Sequence, residues 1–161
     1  MSTLSRKAVK LALSFIVFLY SQNFQKININ NITSNRTTSI AQDSLGFFWI
    51  GTDEGLNKYD GIENEQYKSN IFDEKTLSNN RIKSINIDKN NNVWIINDRG
   101  LDLYETSTDK IFRFPTKTKP IHFFNEEDFI YVTTSQSGIF VFNKKNRKSR
   151  IYSFDPLDPF S

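Results

Sequence analysis

The chain has 161 residues, enough for one domain, and carries 21 Lys and Arg against 18 Asp and Glu side chains. Three of the cations, Arg6, Lys7 and Lys10, lie within residues 1–22, where no acid occurs, so the remainder holds 18 charges of each sign. This balance excludes the strongly basic surface of a nucleic-acid-binding protein. The chain has no Cys, so disulfides do not stabilise it.

Residues 1–22 have the pattern of an export signal. The cationic start precedes a ten-residue apolar stretch, Leu11–Tyr20, and the small residue Ser21 follows it. At about 1.5 Å per residue, this stretch is short for a hydrocarbon layer of about 30 Å. We therefore expect a cleaved signal helix and a periplasmic or other extracytoplasmic location. An uncleaved membrane anchor is the alternative.

The next feature is an internal repeat. When Ser39–Tyr59 is shifted by 45 positions onto Ser84–Tyr104, nine residues match without a gap, and Arg36 also falls on Arg81. The nine are Ser39, Ile40, Asp43, Trp49, Ile50, Asp53, Gly55, Leu56 and Tyr59. A repeat of this period indicates a stack of similar units, none of which can bury its apolar face alone.

Each unit has the pattern of four short strands separated by turns rich in Asp and Gly. The first two units predict strands at 38–42, 48–52, 56–59 and 65–68, then at 82–87, 93–97, 101–104 and 111–114. A third, looser copy predicts strands at 121–125, 129–133, 139–143 and 150–154, with Tyr131 in the place of Trp94. Several inner strands are apolar on both faces, such as Val93–Ile96, as in a sheet that lies between two other sheets.

These features predict an all-β fold of about three four-stranded antiparallel β-propeller blades. The predicted domains are the signal at 1–22 and a partial propeller at 23–161, with blades at about 36–68, 81–114 and 121–154. Eight residues recur as structural positions of the repeat: Trp49, Gly51, Gly55, Tyr59, Trp94, Gly100, Tyr104 and Gly138.

The segment 31–61 closely resembles the two-component regulator propeller repeat, through Gln42-Asp43, Gly46, Trp49-Ile50-Gly51-Thr52, Gly55-Leu56 and Tyr59-Asp60-Gly61. The second unit keeps Asp88, Trp94-Ile95 and Gly100-Leu101, and the third keeps only Gly138 and the strand pattern. The resemblance implies the periplasmic sensor region of hybrid two-component histidine kinases, which often senses glycan fragments. From the residues themselves we expect no cofactor and no catalytic residue in this chain.

The end of the chain resembles the linker between the first two units, since 154–161 is similar to 71–78. Propellers use four to eight blades, so three cannot obviously close a ring. We therefore expect a fragment without the kinase, in which two outer blade faces stay exposed for self-association or a partner chain.

Each residue that could bind a ligand or a metal also has a purely structural interpretation. Trp49 and Trp94 resemble sugar-stacking aromatics, but their apolar strands predict burial between blades. Asp88 begins a segment that resembles a calcium loop, yet Val93 and Arg99 occupy positions where that loop needs Gly and Glu, so a hairpin turn is predicted instead. No metal site is expected.

The remaining candidates are charged or titratable. The basic run 144–150 predicts a solvated hairpin tip, with contact to an anionic polysaccharide or lipid as the alternative. His122, the only His, lies in a strand-like context without partners for a metal site or a catalytic triad.

Three functional hypotheses follow. The first is a non-catalytic sensor module that binds a glycan or another small extracellular ligand. The second is a protein-interaction or adaptor module. The third is a secreted carbohydrate-active enzyme, which needs two positioned carboxylates; Asp53 and Asp98 recur, but at turns where Asp is locally favoured.

Overall fold

The structure is a computed structural model that describes residues 27–153, so the predicted signal at 1–22 lies outside the described residues. This range contains twelve strands and no helix, hence none that could cross a membrane. The strands are β1 (Thr37–Gln42), β2 (Phe48–Thr52), β3 (Leu56–Tyr59), β4 (Asn64–Tyr67), β5 (Ile82–Ile87), β6 (Val93–Asn97), β7 (Gly100–Glu105), β8 (Lys110–Pro115), β9 (Pro120–Asn125), β10 (Phe129–Thr134), β11 (Ile139–Asn143) and β12 (Lys148–Tyr152).

The strands form three four-stranded antiparallel sheets, β1–β4, β5–β8 and β9–β12, in which each strand pairs with the next along the chain. We call these sheets blades 1, 2 and 3. The last strand differs from the sequence prediction, because it spans Lys148–Tyr152 rather than 150–154. The Asn143 side chain accepts hydrogen bonds from the N–H groups of Lys145 and Asn146, closing a tight turn that starts the strand two residues earlier.

One Asp in each of the first two blades both closes the first turn and holds a tryptophan. Asp43 Oδ1 accepts hydrogen bonds from two backbone N–H groups of the turn at 3.0 Å, and Asp88 Oδ1 does the same at 2.9 and 3.0 Å. The other carboxylate oxygen accepts the indole N–H, at 3.0 Å from Trp49 and 2.9 Å from Trp94. The predicted hairpin turn at Asp88 is therefore present, and it satisfies the one polar atom of a buried indole.

The blades stack face to face and bury two apolar cores. Trp49 points from blade 1 onto blade 2, where its ring centre lies 4.8 Å from that of Tyr104. Trp94 points from blade 2 onto blade 3, 5.6 Å from the ring of Phe142. The first core contains Trp49, Leu56, Leu77, Ile82, Ile85, Val93, Ile95, Tyr104 and Ile111. The second contains Trp94, Ile96, Leu101, Leu103, Ile130, Val132, Phe140 and Phe142.

The first strands of the blades lie closest together. Strand β1 runs alongside β5, and β5 in turn contacts β9, so these three strands lie innermost. This is the wedge-like arrangement of β-propeller blades, although the three sheets do not close into a ring.

The close approach of blades 1 and 2 depends on Gly51 in β2. A Cβ atom at this position would lie 2.6 Å from Ile82 Cγ2 and 2.8 Å from Ser39 Oγ. The equivalent position of blade 2 is Ile96, which is buried in the second core. The two blade interfaces therefore share a plan but differ in how closely their sheets approach.

We predict that Gly51→Ala lowers the free energy of unfolding by about 1–3 kcal/mol, because the new methyl group overpacks the interface at Ile82. Urea denaturation followed by Trp fluorescence measures the change. Thr38→Ala, at an exposed position of the adjacent strand, is the control and should stay within about 0.5 kcal/mol of the parent chain. A Gly51→Ala variant as stable as the parent would contradict this account of the interface.

Candidate functional site

Neither tryptophan is available to stack on a ligand. Trp49 has no exposed surface and Trp94 is 3% exposed, since each lies in a core between blades. Phe140 is also buried, whereas Phe47 and Phe48 are half-buried. The surfaces that a ligand can reach are therefore the two ends of the blade stack and its outer faces.

The repeat glycines and tyrosines have structural surroundings. Gly55, Gly100 and Gly138 follow the second strand of each blade with positive φ, and a Cβ atom would meet the backbone of the fourth strand or the residue after it. Tyr59 donates its hydroxyl to Gly61 O at 2.6 Å, and Tyr104 to Asp109 at 2.8 Å.

A groove of about 410 Å³ lies where the first strands of the blades begin, and we call it the amino-end groove. Its lining combines charged side chains with hydroxyl and apolar groups: Arg36, Thr37, Thr38, Asp53, Arg81, Ile82, Lys83 and Ile121. The recurring Asp53 and Asp98 both lie at this end. Arg36 Nη1 is 3.4 Å from Asp53 Oδ2, and Arg81 Nη1 is 3.9 Å from Asp98 Oδ2.

Lys83 and Lys119 add positive charge to the same end. Lys83 Nζ lies 2.9 Å from Asp98 Oδ1 and donates a hydrogen bond to Pro120 O at 2.6 Å. Partial burial acts to raise the pKa of Asp98, but the hydrogen bond from Lys83 and the charges of Lys83, Lys119 and Arg81 outweigh it. The pKa of Asp98 is therefore below its ordinary value, and this carboxylate is ionised at neutral pH.

Lys119 stands in blade 3 where Arg36 stands in blade 1. The carbonyl oxygen of Arg36 accepts a hydrogen bond from Asp53 N–H, and the carbonyl oxygen of Lys119 accepts one from Ser135 N–H. Both pairs join the residue at the start of the first strand to the end of the second strand. A cation therefore stands just before the first strand of each blade; Arg36 and Arg81 line the amino-end groove, and Lys119 lies close to Asp98 beside it.

A second groove, of about 620 Å³, lies at the opposite end between blades 2 and 3, and we call it the carboxyl-end groove. The basic run 144–150 contributes to it, and acids accompany its cations. Lys145 Nζ lies 2.8 Å from Asp128, and Arg147 Nη2 lies 2.5 Å from Glu105. The turn holding the basic run is thus largely neutralised by its neighbours, as a solvated hairpin tip.

Within residues 27–153, neither His122 nor the acidic turns contribute to a cluster of potential metal ligands. His122 is exposed on β9, where its backbone N–H donates to Thr133 Oγ1 at 3.2 Å. Across residues 27–153, no three His, Asp or Glu side chains come close enough together to hold a metal ion.

A short strap before each of the first two blades crosses a blade face and is fixed by buried polar groups. In blade 1, Thr33 N–H donates to Asn57 Oδ1 at 3.0 Å, and Asn57 Nδ2 donates to Ile50 O at 3.2 Å. In blade 2, Ser78 N–H donates to Asp102 Oδ2 at 2.8 Å. The shift of 45 residues relates Thr33 to Ser78 and Asn57 to Asp102, so the two straps are equivalent.

Asp102 differs from Asn57 in one consequential way. Its Oδ2 takes the role of the Asn57 oxygen, but its buried Oδ1 has no hydrogen-bond partner, whereas the Asn57 nitrogen donates to a carbonyl. Burial raises the pKa of Asp102 to about 6, although hydrogen bonds from Ser78 and Asn97 and the charge of Arg113 act in the opposite direction. A protonated carboxyl group supplies the missing donor.

Asp102 should make the stability of this chain pH-dependent. Since its pKa rises from an ordinary 3.8 to about 6 on folding, the folded state holds the extra proton between these values. The free energy of unfolding should therefore fall by up to about 3 kcal/mol as pH rises from 4 to 7. Asp102→Asn should remove this slope and be the more stable form at pH 7, as measured by urea denaturation across the pH range.

Glu74→Gln, at an exposed position of the same strap region, is the matched control and should leave the slope unchanged. An Asp102→Asn variant with the parental pH slope, or one less stable than the parent at pH 7, would contradict the assignment of a buried protonated carboxyl.

The sequence does not predict the amino-end groove, although it marks some of the residues found there. Arg36 and Arg81 are identical positions of the repeat, and so are Asp53 and Asp98. The repeat does not mark Lys83, because the equivalent residue in blade 1 is Thr38. Lys119 lies 38 rather than 45 residues after Arg81, so only the hydrogen bonds of the first strand reveal its equivalence.

Comparison with known proteins relates two segments of the chain to a known family. The model of the family described as two component regulator propeller matches residues 31–54 and 76–99, which include both straps and both buried tryptophans. Histidine kinase P4 of Formosa agariphila is 36% identical over 50 residues, which cover 31% of this chain and 4% of that protein.

Two solved structures extend the comparison to the fold. The extracellular domain of a hybrid two component system, BT3049, from B. thetaiotaomicron is 25% identical with a TM-score of 0.71, and the match covers 80% of this chain and 20% of that one. Virginiamycin B lyase from Staphylococcus aureus is 14% identical with a TM-score of 0.62, covering 81% of this chain and 45% of that one. The second likeness concerns the fold alone. This chain spans about a fifth of the length of the first structure that it matches.

Proposed function

We propose that this chain, which matches the two component regulator propeller family over residues 31–54 and 76–99, is a non-catalytic sensor module of a two-component signalling system, acting outside the cytoplasm. The observation that carries the proposal is the family match at both straps and tryptophan strands, together with the likeness to an extracellular domain of a hybrid two component system. In such a module a ligand favours one arrangement of the signalling protein over another, and it acts by its difference in affinity for the two.

The arrangement of the carboxylates supports a binding role over hydrolysis. A carbohydrate-cleaving pair needs one carboxyl group with a raised pKa to act as general acid. The pKa of Asp98 is lowered instead, and cations accompany both Asp53 and Asp98. Asp98 is therefore not poised to donate a proton.

An extracytoplasmic location is testable with a reporter. We predict that bacterial alkaline phosphatase fused after Ser161 is active in a Gram-negative host, because that enzyme needs disulfides that form outside the cytoplasm. A matched fusion with Ile16→Arg and Val17→Arg, which break the apolar stretch of the signal, should lose most of the activity. Equal activity of the two fusions, or none from either, would contradict export by residues 1–22.

Ligand binding is testable on the purified chain. We expect at least one sugar in a panel of glucose, galactose, cellobiose and glucuronate to raise the melting temperature, since a ligand that binds only the folded state stabilises it. Differential scanning fluorimetry up to 50 mM sugar gives the readout, with mannitol as an osmolyte control. The absence of a shift beyond the mannitol value for all four would contradict a role in sensing these classes of ligand.

A second candidate, a protein-interaction module, is favoured by the outer face of blade 3. Tyr131 and Ile139 are 38% and 43% exposed there, and Phe124 and Tyr152 lie beside them in the strand register. Tyr131 occupies on this face the place that Trp94 occupies on blade 2. The face therefore has the apolar character of the two faces that are buried inside the stack.

If this face binds a second copy of the chain, replacing its centre with charges should weaken the association. We predict that Tyr131→Lys with Ile139→Lys shifts the chain toward monomer by at least about tenfold in dissociation constant, as desolvating two ammonium groups opposes burial. Sedimentation equilibrium measures the shift. Ile62→Lys with Phe72→Lys, at two exposed apolar positions in blade 1 and the following linker, is the control. Equal effects of both pairs, or a monomeric parent chain, would contradict self-association through this face.

A further inference from the structure

The amino-end groove gathers cations that are far apart in sequence. Arg36 comes from blade 1, Arg81 and Lys83 from blade 2, and Lys119 immediately precedes blade 3. The acids at this end that pair with them are Asp53 and Asp98. Arg36, Arg81, Lys83 and Asp53 line the groove, and Lys119 and Asp98 lie beside it, so these six groups together carry an excess of two positive charges.

The two guanidinium groups have donors to spare. The side chains of Arg36 and Arg81 are 80% and 60% exposed, and their contacts to Asp53 and Asp98 are long, at 3.4 and 3.9 Å. Exposed ion pairs of this kind contribute little to stability and compete weakly with another anion. Lys83, by contrast, is anchored by Asp98 and Pro120 O and holds its charge in place.

The carboxyl-end groove provides the internal comparison. It also contains four cations, Lys89, Lys144, Lys145 and Arg147, but five acids line it: Asp88, Glu105, Glu126, Glu127 and Asp128. Its ion pairs are short, at 2.5–2.8 Å. The basic run of the sequence is thus neutralised in part, at Lys145 and Arg147, while the dispersed cations at the opposite end keep a net positive charge.

We propose that the amino-end groove is a binding site for a small molecule that carries a carboxylate or sulfate group, held by Arg36 and Arg81. The planar guanidinium group matches both oxyanions with two parallel hydrogen bonds. Lys83 and Lys119 supply additional positive potential, while Thr37, Thr38 and Ile121 offer hydroxyl and apolar contacts to the rest of the ligand. The volume of about 410 Å³ suits a molecule of monosaccharide to disaccharide size. This inference rests on the proposed function, because it names the ligand class that the sensor module binds.

The test uses the purified chain and three probes at constant ionic strength: sodium sulfate, sodium glucuronate and glucose. Glucose differs from glucuronate by the carboxylate alone. In ¹⁵N NMR titrations, sulfate or glucuronate should shift the backbone amide signals of Thr37, Thr38 and Lys83, and glucose should not. Sulfate and glucuronate together indicate a general oxyanion site, and one without the other identifies the group recognised.

The matched variants separate a site from general electrostatics. Arg36→Gln with Arg81→Gln should weaken binding by about tenfold or more, since it removes the charged hydrogen-bond donors that hold the oxyanion. Lys144→Gln with Arg147→Gln removes the same charge from the carboxyl-end groove and should leave the affinity within about twofold. Both variants keep the strand pattern, and their melting temperatures verify folding.

The outcomes distinguish the inference from the proposed function. Equal weakening by the two variants, or shifts by glucose equal to those by glucuronate, overturns the oxyanion site. If neutral sugars raise the melting temperature while sulfate and glucuronate shift no groove signal, the sensor function stands and this inference fails. If no probe or sugar binds in either assay, both fail.

Discussion

The structure depends on the burial of one large aromatic side chain between each pair of neighbouring sheets. Trp49 and Trp94 each point onto the following blade. The free energy gained by removing an indole ring from water favours face-to-face stacking of these sheets of short strands. The indole N–H would oppose this burial if it lacked an acceptor. Asp43 and Asp88 supply the acceptor while closing the turn before the second strand. Local turn chemistry and packing between blades are thus coupled through a single residue in each repeat.

The straps show how the same position accommodates two different polar groups. Asn57 in blade 1 donates and accepts, so its buried amide is satisfied at any ordinary pH. Asp102 in blade 2 meets the same backbone donor at one oxygen, but the other oxygen lacks a partner, and burial raises its pKa. Arg113 holds the second strap more firmly, with donors to carbonyl oxygens of Thr76 and Leu77 at 2.7 and 2.9 Å. Both blades therefore keep the hydrogen-bonded strap, but the buried group that holds it is a neutral amide in blade 1 and an ionisable carboxyl group in blade 2.

Charge is divided between the two ends of the blade stack in a way that composition does not reveal. The chain after residue 22 is balanced overall, yet the carboxyl-end groove pairs its cations closely and the amino-end groove does not. Such an asymmetry gives the two ends of the stack different electrostatic potentials, and the stack of sheets is the scaffold on which loop and strand-end residues hold these charges.

The sequence alone determined the repeat, the strands and the buried tryptophans, because these follow from backbone periodicity and from turn residues that act over a few positions. The 45-residue shift placed the strands of blades 1 and 2 to within about one residue, and apolar runs on both faces indicated sheets with neighbours on each side. It misplaced the start of the last strand, where the repeat is loosest. It also gave no sign that Asp102 is buried, since an Asp between two leucines in a strand normally faces water.

Only the tertiary structure decided which charges meet. The run 144–150 is strongly basic in the sequence, yet Glu105 from blade 2 and Asp128 from the adjacent hairpin turn neutralise part of it. In the sequence, 45 residues separate Arg36 from Arg81 and 38 separate Arg81 from Lys119. They lie at one end of the stack because the equivalent first strands lie side by side. Electrostatic interaction depends on distance in space, and packing of remote strands sets that distance, so no local pattern could have predicted the amino-end groove.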